Sequence, residues 1–416
     1  MAFFNGGNRP RIQEIFLSDE NRRLRVILLG IVLAIAVTAL TVGLVEMLNV
    51  DPGWQEVEIS QSGVHCGGDF FFQYNFGAGG ASDTAQRKEI QTLYTQCASD
   101  AYWMFTPDSA DQENSNLYVI NHSVGEIVTV NPVLYNALEQ MEDYGSRSHY
   151  LGPVYVVYKN MVFSQSDDEA AVWDPTRNPE QAEFVAKLAA FARDEQAVNV
   201  ELLGDDQVRL QVSQEYLQFA AENEIENFLD FGWMKNAFII DYFAQTLSSR
   251  GYTQGFIVSK DGFTRNLTED IPFELNLFDR EDGTVYVAGN LSYEGPLSAV
   301  ALRNYPNSVQ SAWNYHVYAD DTIVSSFADI RDGLSRSATS DLVCYSKEAT
   351  CAQLLLQMTP AYIAETLDTE ELKELSHKGI YSIWGEDYTL YHTEPGAQIA
   401  DLMDVDGVIY STQLFS

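Results

Sequence analysis

Basic residues are scarce in this chain: 24 lysines and arginines stand against 60 aspartates and glutamates in 416 residues, a net charge of −36. Docking on a phosphate backbone needs a local excess of cations, so nucleic acid drops out as a partner. Cysteine is equally rare. The four thiols, Cys66, Cys97, Cys344 and Cys351, form no CxxC pair, and the six histidines show no HxH or HxxxH spacing. No two imidazoles are therefore set on one face for a metal, and a zinc site lacks its ligand pattern. GxSxG and GxxxxGK[ST] are absent, which removes the commonest signals of serine hydrolases and P-loop NTPases. No repeat and no Pro/Gly/Ser-rich linker divides the chain after its first sixty residues.

What is abundant is apolar, and one block of it is continuous. Residues 26–45, VILLGIVLAIAVTALTVGLV, carry no charge over twenty positions, the length that crosses a hydrocarbon core of about 30 Å as a helix. The run continues directly into EMLNVDPGW with no small-residue exit site, so it reads as an uncleaved anchor. Arg9, Arg11, Arg22, Arg23 and Arg25 precede it, and no Lys or Arg follows until Arg87. This bias places the 1–25 tail in the cytoplasm and the rest outside the cell membrane. The organisation expected is a tail, a span at 26–45, a stalk at 46–61 and an exported domain at 62–416. The tail's five arginines outnumber Glu14, Asp19 and Glu20 by two, so the remainder carries −38. Those acids are dispersed among apolar residues, as on a soluble folded surface.

An exported domain permits disulfides. Three pairings are open to four cysteines; nearness in sequence favours Cys66–Cys97 and Cys344–Cys351, the alternative being buried free thiols, since a domain this large needs no staples. The pattern along the domain is α+β. Helical periods occur in AEFVAKLAAFARDE, in SQEYLQFAAENE behind Ser213 as N-cap, and in AYIAETLDTEELKEL. Acidic pairs separate alternating runs in NVELLG-DD-QVRLQVS, WNYHVYA-DD-TIVSSFA and YSIWG-ED-YTLYHT, each an expected antiparallel hairpin. GGDFFFQYNFG and YLGPVYVVY suit buried strands. Asp167-Asp168 and Asp205-Asp206 are expected in solvated turns rather than as a catalytic or calcium-binding pair.

One stretch, FLDFGWMKNAFIID at 228–241, asks for more. Ala237, Ile240, Ala244 and Leu247 recur at helical spacing and Gly251 ends the run; GFIVS then reads as a strand and Lys260-Asp261-Gly262 as a tight turn. On its own this is a core helix opened by Asp230 as a cap. The stretch also resembles D-L-G-G-I-A-K-G-Y-A-V-D of the ApbE-type flavin transferases, exported bacterial enzymes that move FMN from FAD to a threonine hydroxyl. Asp230, Gly232 and Asp241 match; Trp233 replaces the second glycine, Asn236 the lysine, and Lys235 stands one position early. The KDG turn resembles the family's G-G-D/N turn. SFADIRDG resembles its H-I-x-D-P-x-T-G loop, keeping Asp329 and Gly333 but with Ser326 for the histidine and Ile330 for the proline. NLYVINHSVGEIVTVNPVLYNALEQ resembles an upstream segment, with Asn121 at its asparagine.

The resemblance implies an α+β domain of antiparallel sheets with packed helices, and FAD held by Asp230, Gly232, Asp261, Gly262, Asp329 and Gly333. It also implies a departure. Where the family has A-D-A-L-x-T, whose aspartate and threonine help to bind magnesium, ATCAQLLLQM sets Gln353 and Gln357. A neutral amide offers no charge to offset magnesium's dehydration, so the metal site is expected to be lost and no catalytic residue is assigned. Three readings follow: a membrane-anchored, catalytically degenerate domain acting through binding or assembly; an active, divergent transferase serving a membrane flavoprotein; or an unrelated envelope interaction protein.

Overall fold

A computed structural model describes residues 53–60, 66, 69–77, 83–110, 115–269, 271–308 and 311–415. The expected span at 26–45 and the tail before it lie outside these residues. Among the described residues, no helix is long and apolar enough to cross a membrane.

The frame is a nine-stranded sheet whose order is Gly53–Glu56, Phe70–Phe76, Gly255–Ser259, Phe263–Asn266, Leu297–Arg303, Asp341–Ser346, Tyr381–Glu386, Thr389–His392 and Ser411–Leu414. Neighbours are antiparallel except the last pair, which is parallel. The first strand occupies part of the expected stalk and forms an edge of this sheet. Phe70–Phe76 shows why its aromatics suit a strand: Phe70, Phe72, Tyr74 and Phe76 alternate into the core. Leu297–Arg303 and Asp341–Ser346 are buried throughout, as befits central strands covered on both faces.

The Asp261-Gly262 turn joins two of these strands. Gly262 has φ +106°, and a Cβ there would run into the Ala301 carbonyl, so only glycine lets the turn lie against the neighbouring strand. The NVELLG/QVRLQV hairpin turns on Asp205 and Asp206, both at positive φ, where short acidic side chains are tolerated. The YSIWG hairpin turns one residue later than expected, at Asp387 and Tyr388. In the third, Tyr315–Val317 pairs with Ile323–Ser325 across a longer loop.

Helices Asp83–Phe105, Lys235–Ser249 and Cys351–Tyr362 pack on the sheet and on one another. Ser213 caps Gln214–Glu222 by accepting from the Tyr216 N–H, as its position implied. Three expectations fail locally. YLGPVYVVY is helical: Ser148–Leu151 is a 3-10 turn and Gly152–Val162 an α-helix. Pro153 lies in its first turn, where a missing N–H costs nothing, and the aromatic run that imitates a strand buries Val154, Tyr155, Tyr158 and Met161. AYIAETLDTEELKEL is broken after Tyr362 and restarts at Thr369 behind the Asp368 cap. Asp167-Asp168 opens the helix Asp167–Trp173 behind Ser166, where acids meet the positive end of the dipole.

The cysteine pairing is also corrected. All four thiols are free and buried. Cys344 contacts the Ser382 hydroxyl at 3.3 Å and Cys351 donates to the Thr264 carbonyl at 3.2 Å, so each fills core volume near a polar partner. Burial pushes the Cys66 and Cys344 thiols up to about 12, which leaves little thiolate to oxidise. Unfolding in guanidinium without reductant should therefore expose four thiols to Ellman's reagent per chain, with none reacting quickly in the native state; fewer than four after unfolding would show a disulfide.

Candidate ligand-binding site

Positions 227–236 enter the helix Lys235–Ser249 through a 3-10 turn, Gly232–Met234. Two fixtures hold this approach. Asn121 is buried and exchanges both hydrogen bonds with Leu229: its Nδ2 donates to the Leu229 carbonyl at 2.9 Å, and the Leu229 N–H donates to its Oδ1 at 2.8 Å. Gly232 sits at φ +52°, and a Cβ there would come within 2.6 Å of the Tyr155 ring. Asp230 does not cap the helix. Its Oδ1 accepts from the Gly232 N–H at 2.8 Å, and its own N–H donates to the His149 carbonyl, so it builds the turn ahead of the helix.

That turn faces a cavity of about 600 Å³ shared with the Asp261 turn. Asp230, Gly232 and Asp261 line it, as do Lys235 and Ser326. The remaining candidates do not. Gly262 lies behind Asp261 against the Ala301 carbonyl. Asp329 is 2% exposed and fully occupied: Arg331 grips both its oxygens, with Nε at 3.0 and 2.8 Å, and Arg336 Nη1 reaches Oδ2 at 2.9 Å. Gly333 sits against the Val185 backbone at φ +77°, and its carbonyl accepts from Tyr158. The SFADIRDG loop thus supplies Ser326 to the cavity and spends its acid on its own arginines.

The expected metal positions lie elsewhere. Gln353 Oε1 accepts from the Thr350 N–H at 3.0 Å while Thr350 Oγ1 accepts from the Gln353 N–H, a reciprocal capping box at the start of Cys351–Tyr362. Gln357 donates to the Gln353 carbonyl. Asp241 completes the cap by accepting from the Cys351 and Ala352 N–H groups at 3.0 and 2.8 Å, and it pairs with Arg265 at 3.2 Å. Gln353, Asp241 and Arg265 line a second cavity of about 410 Å³. These residues do not fit magnesium: the only carboxylate among them is already held by two N–H groups and a guanidinium. Among the described residues, no group of three His, Cys, Asp or Glu could hold a metal.

The electrostatics of the first cavity centre on Lys235, which sequence reading noted only as misplaced. Burial is the largest influence on it and opposes its charge, yet Cys66, Asp230, Asp69 and Asp261 around it outweigh burial and hold its pKa above the ordinary lysine value. Burial raises the carboxyls of Asp69 and Asp230 despite the same lysine. It pushes Asp261 up to about 6, although Asn236 Nδ2 donates to its Oδ2 at 2.8 Å. Cys66 and Asp69 were not anticipated. They come from a segment with no pattern of its own, brought in because the Lys260 N–H of the tight turn donates to the Asp69 carbonyl at 2.9 Å.

With this geometry in hand, comparison with known proteins places the fold. No family model matches the chain, and no curated protein resembles it in sequence. Solved structures do resemble it. The ApbE protein of Thermotoga maritima superposes with a TM-score of 0.52 at 13% identity, covering 83% of this chain and 97% of that one. The flavin transferase ApbE of Vibrio cholerae gives 0.52 at 12%, covering 81% and 95%. The domain is therefore a mixed α+β domain with the fold of the ApbE flavin transferases, as the motif resemblance implied.

Asp261 has a titration of its own. Its folded value of about 6 exceeds the ordinary value near 4, so the stability it contributes is complete below about pH 4 and lost as pH rises through about 6. Asp261→Asn removes that dependence. In urea unfolding from pH 4 to 7, wild type should lose on the order of 1–3 kcal/mol relative to the variant; parallel stability profiles would show that Asp261 is not so perturbed.

Proposed function

We propose that this is a membrane-anchored protein whose ApbE-fold domain lies outside the cell membrane, binds a ligand in the Asp230–Asp261 cavity and does not transfer flavin. The observation that carries this is the fate of Gln353: an amide locked into a capping box on a separate cavity. Transfer of a nucleotidyl or phosphoryl group depends on charge neutralisation at the phosphate, which in such enzymes comes largely from the metal. Here the acids at the other motif positions, Asp241 and Asp329, are committed to backbone N–H groups and arginines. The cavity still has the means to hold a ligand. Lys235 and Lys260 offer cations, Tyr155 and Trp233 offer aromatic surface, and Asp230 and Gly232 fix its rim. A domain of this kind acts as a binding or assembly module, with an envelope protein or a membrane flavoprotein as its partner.

The second reading, an active FAD:protein FMN transferase, draws on the same cavity, because Asp230, Gly232 and Asp261 all remain in it. Titrating FAD with and without Mg²⁺, followed by flavin fluorescence and thermal shift, separates the two. The expected outcome is no magnesium-dependent stabilisation and no flavin on a threonine-bearing acceptor. Stabilisation by roughly 2.7 kcal/mol at about 100 times the dissociation constant, present only with magnesium, would sink the proposal.

The anchoring has its own test. A protease added to intact cells should remove an epitope at residue 416 and spare one at residue 10. Protection of the C-terminal epitope while the membrane is intact would reverse the orientation.

A further inference from the structure

The first three strands of the nine-stranded sheet have two unlike faces. Toward the helices, Phe70 meets Phe243 edge-on with ring centroids 4.9 Å apart, and Phe72 meets Tyr94 at 5.2 Å. The opposite face also carries rings, and these reach solvent. Alternation and register send Trp54 on Gly53–Glu56, Phe71 on Phe70–Phe76 and Phe256 on Gly255–Ser259 to this side. Trp54 is 40% and Phe71 38% exposed, while Phe256 and Phe273 are half-buried. Phe256 is the hub: its ring centroid lies 5.5 Å from that of Trp54, 6.4 Å from Phe71 and 5.4 Å from Phe273. Singly exposed aromatics are ordinary, but four joined through one ring form the kind of patch that marks an interaction site. Charge is scarce here too. Phe70–Phe76 and Gly255–Ser259 contain no charged residue, in a chain where 20% of residues are charged.

The position of the patch along the chain selects its partner. Trp54 stands nine residues after Val45, the end of the uncharged run, and a fully extended chain covers at most about 30 Å in that number of residues. The tether therefore keeps the strand that bears Trp54 close to the end of the expected span. We infer that this aromatic face rests on the membrane, seating its rings among the lipid headgroups and the uppermost acyl segments. The inference rests on the anchored reading above, and it adds the surface by which the domain meets the bilayer. Tryptophan favours membrane–water interfaces, where its ring meets lipid and its N–H stays wet. The phenylalanines add apolar area. Glu56 and Glu58, exposed just after Trp54, set the depth: an ionised carboxylate does not enter hydrocarbon, so the face seats at headgroup level.

The test reconstitutes the full chain in phosphatidylcholine liposomes brominated on either the upper or the lower acyl carbons. The emission of Trp54 is taken as the difference between wild type and Trp54→Phe. Upper-chain bromine should reduce it roughly twofold or more, as for an interfacial tryptophan, with a smaller loss from lower-chain bromine and little change in the emission of Trp54→Phe. Phe71→Glu leaves the tether intact and puts a charge in the patch. It should shift Trp54 emission to the red and abolish the bromine effect, while circular dichroism and melting show a folded domain. Selective quenching that Phe71→Glu removes supports the inference. Quenching that survives Phe71→Glu would show proximity through the tether alone and overturn it. Unquenched Trp54 in chains that float with the liposomes and resist carbonate extraction would overturn it and leave the anchor standing. Blue-shifted, unquenched Trp54 in chains that cross-link to one another would name a second copy as the occupant and overturn it as well. Chains that do not float would overturn both the inference and the anchored reading.

Discussion

The carboxylate of Asp241 ties the domain together. It sits in the helix Lys235–Ser249, accepts two N–H groups from the start of Cys351–Tyr362 and pairs with Arg265 on the strand Phe263–Asn266. One side chain thus fixes two helices and the sheet relative to each other. Removing one partner of such a partly buried ionic group leaves the other charged and unpaired. Asp241 and Arg265 line the second cavity themselves, and the helix that Asp241 anchors supplies Lys235 and Asn236 to the first.

Seen from that tie, the two cavities have separate chemical characters. The second is lined by the capping box and by amide side chains, and its acid is neutralised. The first gathers Asp69, Asp230 and Asp261 around Lys235, with all three carboxyls raised by burial. Departures from local consistency of this kind are expected where a protein binds something.

Much of the fold was legible because it is written locally. Acidic turn pairs marked two hairpins closely, Ser213 marked a helix start, and alternating aromatics marked Phe70–Phe76. The helix Gly152–Val162 was illegible because valines and tyrosines suit either state; tertiary burial decided it, with Pro153 the only local hint. Of the six positions the motif resemblance singled out, Asp230, Gly232 and Asp261 line the first cavity, whereas Gly262, Asp329 and Gly333 stand outside its lining. A residue type at a motif position does not reveal that two arginines two and seven residues later consume its carboxylate. Cys66 and Asp69 carried no signal, because their place in the cavity is set by a backbone hydrogen bond to a turn nearly two hundred residues away.

The reciprocal bonds between Asn121 and Leu229 join positions 108 residues apart. Closing a loop of that length must precede any gain from the contact, and such non-local contacts slow folding. The rim of the first cavity therefore cannot form from the nascent segment around Asp230 alone. It waits until residue 121, synthesised much earlier, has found its partner across the intervening helices and strands. Any change that loosens the contact at residue 121 would therefore be felt at the cavity rim, although the two positions share no stretch of sequence.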